Sequence, residues 1–517
     1  MNTPNTVPAG GRRIIVNFLA GAMQTVVSLF AGFFSSRWFL LNIGEVDIGL
    51  FNVIGGIVAL AGVFGVFWGR ALFRLYGYTL GENIDIQEKL NQYFNTGLLG
   101  CGILIALLAC IGYPLGIYSI HDKLTVPPER LLASIWSFRF TLVSTAIIIG
   151  CIPYTTLFSA KQIIAPISGI HTVLTLLLLA FSYYSKYIAE DRLIWYSAIM
   201  ALTVVLPPLV QLVYGMKKFP ECRICIDKLW SSKRFKELTV YGFWIYVGNF
   251  PFNLQFEGIK IFLNLHWGPR LNTAYALGNN LIARINGISG SLHTAVCPAI
   301  TTIAGSGNKE QLECLVIQTC KFLMLILSLF YLPLLLELEY VLALWLKEPP
   351  MYTYGFCCLV AMATFINSMS VPYALALEAQ PNIGIYKTVS CLQVLLFWPI
   401  LFVLYYVYKS PLVVAIAMIL TNIGNVFVNL YYCKKMFGFS ISRWFQKAVF
   451  PVLLCLVLPA LIGGLLHILL PLSFSRFALT GIMVVPLFVW LTYRFVLSQD
   501  EQNSIRMFFL RMKLLIT

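Results

Sequence analysis

The chain runs to 517 residues, 59% of them hydrophobic and only 11% charged, with a formal net charge of +15. So apolar a composition excludes an ordinary soluble globular protein and points to a polytopic membrane protein. The positive balance does not indicate nucleic-acid binding, because Lys and Arg sit in short segments between apolar runs, the distribution that orients membrane proteins.

A bilayer-crossing helix needs about 20 apolar residues. Runs of that length, broken by Gly, Pro and charge, predict helices over 14–42, 48–75, 95–119, 131–159, 163–186, 193–216, 240–266, 272–304, 314–346, 352–378, 384–408, 411–433, 449–470 and 476–497. The expected fold is therefore all-α and polytopic, with about 14 transmembrane helices. Gly11, Arg12 and Arg13 lead straight into the first run, so no cleavable signal is expected. With the N-terminus in the cytoplasm, most Lys and Arg fall on inner segments, and the tail carrying Arg506, Arg511 and Lys513 returns to the same side. Trp38, Trp136, Tyr183, Trp195, Trp345 and Tyr352 mark interfaces at span ends.

The longest inner segment, Met216 to Val240, holds Lys217, Lys218, Arg223, Lys228, Lys233, Arg234 and Lys236 and follows six predicted spans. It reads as a linker, giving a six-helix bundle over 1–216, a basic cytoplasmic linker over 217–239, a second six-helix bundle over 240–437, and two further helices with a tail over 438–517. An internal similarity supports a repeat: Leu41, Asn42 and Gly44 close the first span as Leu263, Asn264 and Gly268 close the seventh. Parallel repeats of this kind are a known transporter plan. The 13 cysteines are scattered through the spans and read as small apolar residues, and the single pair Cys222 and Cys225 lacks the second pair that zinc would require. No cofactor and no metal is expected.

Chemistry concentrates on a few helix faces. In the seventh span Asn249, Asn253, Glu257, Lys260 and Asn264 recur at steps of 4, 4, 3 and 4 and share one face. The eighth span has Asn280, Arg284, Gly287 and Ser291; the first has Asn17, Gly21, Gln24, Ser28 and Ser35; and the second is rich in glycine at Gly55, Gly56, Gly62, Gly65 and Gly69. One polar stripe usually serves helix packing, whereas matched stripes carrying cations favour a water-filled vestibule.

Intramembrane charge is costly and persists mainly in wet cavities or beside a counter-charge. Arg284, about a dozen residues into its span, is too deep to reach an interface and is the leading candidate for holding an anion. Arg139 and Arg37 admit a second reading, a stem in the bilayer with its head at the interface; Arg70 and Arg74 follow equally from the inside-positive bias. Glu257 and Lys260 are three apart, which suits a structural ion pair, or a Glu257 that binds a coupling cation or proton while Lys260 joins the anion site. His293 is either a packing histidine or a proton relay. No P-loop, Ser/His/Asp set or metal-ligand spacing is present, so an enzyme is not expected.

Four stretches carry a resemblance: SRWFLLNIGEVDIGLFNVIGGIVAL from Ser36, KKFPECR at Lys217 to Arg223, HTAVCPAI at His293 to Ile300, and LWLKEPPMYT at Leu344 to Thr353. Over roughly residues 12–445 the chain resembles the oligosaccharide flippase family of bacterial polysaccharide export, within the multidrug/oligosaccharidyl-lipid/polysaccharide exporter superfamily. The resemblance implies two six-helix bundles in a V plus two C-terminal helices, with the first, second, seventh and eighth helices lining a cavity. It implies a cargo of undecaprenyl diphosphate-linked oligosaccharide crossing from the cytoplasmic to the periplasmic leaflet of the bacterial inner membrane, for O-antigen or capsule. Arg284, Lys260, Arg139, Arg70, Arg74 and Arg37 would meet the diphosphate, with Asn253 and Asn280 beside them, and Glu257 and His293 would couple ions. The expected partners are that anionic lipid-linked glycan, membrane lipids, and a polysaccharide polymerase or chain-length regulator. Rival readings are a lipid II flippase, a cation-coupled multidrug exporter of the same fold, and a membrane glycosyltransferase or ligase.

Overall fold

The structure is a computed structural model that describes residues 11–81, 85–161, 163, 165–225, 230–306, 308–380 and 384–503; for some helical residues only the backbone is described. Among the described residues it is all-α, with no strand. The packing of its helices divides the chain into two compact units, Met1–Ala276 and Leu277–Thr517.

The first unit contains α1 (Gly11–Ile43), α2 (Glu45–Gly81), α3 (Ile86–Leu107), α4 (Tyr113–Tyr118), α5 (Leu131–Ala160), α6 (Ala165–Tyr184), α7 (Arg192–Lys218), α8 (Ser232–Trp267) and the start of α9 (Pro269–Ser306). The seventh predicted span is grouped with the first unit. The reason is packing: α8 lies along α2. The glycines of α2 explain how neighbours come close. A Cβ at Gly62 would meet Thr145, one at Gly65 would meet Ile149, and one at Gly69 would approach Ile152, all on α5; one at Gly56 would approach Glu257 and Lys260 on α8. This is the small-residue contact that membrane helices favour. Leu72, Tyr76, Leu90 and Phe94 form part of the buried core between α2 and α3.

The second unit contains the rest of α9, then α10 (Lys309–Leu336), α11 (Leu338–Leu346), α12 (Thr353–Ser368), α13 (Val371–Glu378), α14 (Gly384–Leu395), α15 (Phe397–Tyr408), α16 (Val413–Phe437), α17 (Ile441–Trp444), α18 (Phe450–Leu469) and α19 (Phe474–Leu491). Three predicted spans are interrupted. Over 314–346 the break is at Glu337, one turn after Pro333; α12 and α13 bend by 44° before Pro372; and α14 passes to α15 just before Pro399. Proline removes a backbone donor and crowds the preceding turn, which accounts for the breaks before Pro372 and Pro399; Pro333 lies inside α10, whose end follows it.

Eleven helices among the described residues are long and apolar enough to cross a membrane, or twelve with the bent α12–α13 pair taken as one span. At 36 and 38 residues α8 and α9 are also long enough; the polar stripes lower their hydropathy. The predicted spans all find helices. The last two are built into the second unit's core: Val449, Val452, Cys455, Phe488 and Leu491 are buried with residues of α10, α13 and α16.

Candidate functional site

Asn249, Asn253, Glu257, Lys260 and Asn264 do share a line along α8, and the side chains of the last four meet neighbours. Asn253 donates its amide to the Asn249 carbonyl at 2.9 Å, a bond to the preceding turn. Lys260 Nζ lies 2.6 Å from Glu257 Oε2 and 4.9 Å from the centre of the Phe256 ring. The pair rests on α2 at Gly56, where a Cβ would stand 3.2 Å from Glu257 Oε2 and 3.4 Å from the Lys260 stem. Glu257 and Lys260 thus form an ion pair. Each charge neutralises the other in a setting where either alone would be costly. Asn264 is buried at the end of α8, accepting the Thr125 amide at 2.9 Å and facing the Thr125 carbonyl with its own amide at 3.5 Å.

On α9, Arg284 is half-buried and Asn280 exposed, four residues apart on one face. Arg284 is 15 residues beyond the start of the helix, about 22 Å along its axis. Asn286, two residues on, accepts a hydrogen bond from Tyr331 at 2.9 Å, and Tyr331 also meets Thr364 at 2.9 Å. Asn286 is not among the expected polar positions because it lies off the Asn280–Arg284 line. The side chains of Ser291 and His293 lie outside the described residues, as do those of Asn17 and Gly21 on α1; Ser35 is buried and Arg37 half-buried.

Arg139 is exposed. It shares its face with Leu132, Trp136 and Val143, all exposed, and its guanidinium is 5.0 Å from the Trp136 ring centre and 3.5 Å from the Tyr113 hydroxyl. A cation seated on amphipathic rings along an apolar outer face is the arrangement of a side chain reaching for the headgroup level. Arg70 and Arg74 are exposed near the end of α2, and Arg70 lies 5.9 Å over the Phe67 ring.

The basic segment after α7 begins as a pinned structure. Asn91 on α3 donates to the Glu221 and Arg223 carbonyls at 2.9 and 2.7 Å, Asn95 donates to Arg223 at 3.1 Å and accepts from the Cys225 amide at 2.9 Å, and Lys161 meets Glu221 at 2.9 Å. Burial, reinforced by Glu221, pushes the Cys222 thiol up to about 12. No group of three potential metal ligands occurs among the described residues.

Three ionic clusters escape sequence reading. Arg130 pairs with Asp47 and also with Asp191 at 3.0 Å, and Asp191 in turn caps α7 by accepting the Leu193 amide at 3.0 Å. In the second unit Glu337 is 1% exposed and takes Arg476 at 3.0 Å and the Thr480 hydroxyl at 2.8 Å. Lys321, seven residues into a predicted span, is 6% exposed and meets Glu501 at 2.6 Å. These two pairs tie α10 and its end to α19 and to the segment that follows it. The signal for Lys321 is present in the sequence, a lone cation within an apolar run, but its partner lies 180 residues away.

No family model matches the chain, and no curated protein matches it. Solved structures do. The chain is similar to the lipid II flippase MurJ in an inward closed conformation, at 13% identity and a TM-score of 0.63, covering 93% of this chain and 99% of that one. It is similar to a multidrug resistance MATE family transporter of the MOP superfamily in an inward-facing conformation, at 17% identity and a TM-score of 0.62, covering 82% and 98%. A MOP superfamily transporter from Pyrococcus furiosus, whose binding pocket is described as reversed in polarity, aligns at 16% identity and a TM-score of 0.55 over 82% and 95%. The chain is a multi-pass membrane protein with the fold these transporters share.

Proposed function

We propose that the protein is a flippase that moves undecaprenyl diphosphate-linked oligosaccharide from the cytoplasmic to the periplasmic leaflet of a bacterial inner membrane, for surface polysaccharide. The observation that carries this reading is Arg284, a half-buried cation some 22 Å along α9. A fixed cation at that depth suits a diphosphate, which takes charge-assisted hydrogen bonds from a guanidinium. In this reading Arg284 holds the phosphate, Asn280 and Asn253 meet sugar hydroxyls, Lys260 adds positive field, and Arg37, Arg70, Arg74 and Arg139 draw the anionic headgroup toward the protein. A polysaccharide polymerase or chain-length regulator receives the product. The termini lie in the cytoplasm, and alternating access exposes the cargo outward. The division into bundles over 1–216 and 240–437, joined by 217–239 and followed by 438–517, belongs to this proposal.

Proton or cation coupling through Glu257 and His293 is the less favoured part, since Lys260 already neutralises Glu257. The same pair counts against cation-driven multidrug export. A second reading, flipping of lipid II, is supported by the coverage of 93% and 99% against MurJ. The test is transport of fluorescent undecaprenyl diphosphate-linked oligosaccharide in proteoliposomes, with lipid II as competitor. Arg284→Ala should slow flipping about tenfold or more, the loss expected from a charge-assisted hydrogen bond worth roughly 1.5–3 kcal/mol. Flipping at the wild-type rate overturns the site; preference for lipid II at equal concentration selects the second reading.

A further inference from the structure

Within the first unit, α2, α3 and α8 enclose a groove of about 290 Å³ whose lining includes none of the proposed transport residues, although Arg70, one of the cations proposed to draw the cargo's headgroup, stands beyond one end. Its floor is Phe67, Trp68, Gly100 and Gly242, and its open rim is Phe64, Ile103, Thr239 and Phe243. The floor is built. Gly100 is required, because a Cβ there would overlap the Trp68 ring, and the indole N–H is satisfied by the Gly97 carbonyl at 3.1 Å. Tyr246 stacks on Phe64 at 4.7 Å and meets Phe67 edge-on at 5.4 Å, which fixes one wall. An apolar cavity of this kind does not retain water, and at this depth the available filler is hydrocarbon.

One end of the groove is cationic. Arg70 is 25 residues beyond Glu45, about 38 Å along α2, which is past a hydrocarbon core of about 30 Å. Its guanidinium lies over Phe67, a floor residue. On α8, Lys236 stands one turn before Thr239 on the same face, and it is exposed. Neither Arg70 nor Lys236 has a carboxylate partner among the described residues, in contrast to Arg234, which meets Glu237 at 3.2 Å and Tyr93 at 2.6 Å. An apolar slot that ends at headgroup level at two cations with no carboxylate partner among the described residues is complementary to an anionic amphiphile. Its volume is near the lower limit for small-molecule sites, room for one chain rather than a whole lipid.

We propose that this groove holds one acyl chain of an anionic bilayer phospholipid whose phosphate rests between Arg70 and Lys236, a resident lipid distinct from the transported cargo. The test is native mass spectrometry of the full-length protein exchanged into equal phosphatidylglycerol and phosphatidylcholine. One phosphatidylglycerol should survive delipidation. Thr239→Trp, which fills the rim from an exposed position, should abolish retention, and Gly242→Leu should do the same from the floor. Arg70→Gln should keep a lipid bound while lowering the preference for phosphatidylglycerol about fivefold, in line with the contribution of one basic residue near an anionic surface. Equal retention of the two lipids by the wild type, undiminished phosphatidylglycerol in both filled variants, or displacement by equimolar polyprenyl phosphate would each overturn the assignment. None of these readouts depends on flipping, so the outcome stands apart from that of the cargo.

Discussion

Two corners of the first unit use one device and finish it differently. At the first, Gly44 at φ +95° turns α1 into α2; at the second, Gly268 at φ +81° turns α8 into α9. In each, the glycine amide bonds the carbonyl four residues back, to Leu40 at 3.1 Å and to Asn264 at 2.9 Å. In each, a nearby asparagine secures a distant segment: Asn42 donates to the Ser182 carbonyl and the Ser185 hydroxyl, both at 3.0 Å, while Asn264 grips the main chain of Thr125. The first corner is then fastened by charge. Arg192 donates to the Asn42 carbonyl at 2.7 Å, and Asp47, at the start of α2, shares Arg130 with Asp191. The second corner is held by neutral contacts alone among the described residues: the Thr273 hydroxyl donates to the Glu45 carbonyl at 2.6 Å, and Gly49 sits against the Pro269 carbonyl. Charge makes the first corner a fixed frame, and shape lets the second rest upon it.

The contrast between the corners breaks most readily at Arg130. Arg130→Ala leaves Asp47, 6% exposed, without its cation. Removing one partner of a buried pair costs about 3–5 kcal/mol, and the partial exposure of Arg130 places this variant at the lower end, about 3 kcal/mol. The expected result is a large fall in the melting temperature of the detergent-solubilised protein, partly restored in the Arg130→Ala/Asp47→Ala double variant. A fall of less than about 1 kcal/mol would mean that the first corner is not held by charge.

Next comes Gly49→Ala. A Cβ at Gly49 would overlap the Pro269 oxygen, a backbone atom that can yield only if the two corners part. Overpacking of this kind costs about 1–3 kcal/mol. If the second corner is the separable one, the buried Ala274→Cys in a cysteine-free background should react faster with a membrane-impermeant maleimide in the Gly49→Ala protein, while the buried Leu40→Cys should not. Equal acceleration at both positions would dissolve the distinction.

The likeness of the two corners is legible in the sequence, since Asn42 with Gly44 and Asn264 with Gly268 stand at the ends of corresponding spans. The helices are legible too, because each requires only local hydrophobicity. Their partners are not. Asp47, Arg130 and Asp191 are separated by 83 and 61 residues, and nothing local marks them as one cluster. Likewise, the spacing of Glu257 and Lys260 allows a pair, but only the packing of α8 on α2 at Gly56 shows where it rests. Arg139 and Arg284 both read as cations within apolar runs, and the burial of one and exposure of the other depend on which face the neighbouring helices cover.

The asparagines give a finer cut, because their local roles are alike and only their surroundings differ. A buried amide that satisfies a backbone group contributes about 0.5–1.5 kcal/mol, and stranding its partner costs about 1–3 kcal/mol. At Asn42 the Ser185 hydroxyl also donates to the Ser182 carbonyl at 2.8 Å, so that oxygen keeps a donor when the asparagine is lost. At Asn264 the Thr125 amide has no second acceptor among the described residues. Asn264→Ala should therefore destabilise by about 2 kcal/mol and Asn42→Ala by about 1 kcal/mol, both read from thermal unfolding. Thr273→Val, which removes one neutral hydrogen bond and preserves shape, should cost about 1 kcal/mol or less. If Asn42→Ala were the more damaging, the charged fastening at the first corner would depend on its asparagine, and the two corners would differ in order of assembly rather than in strength.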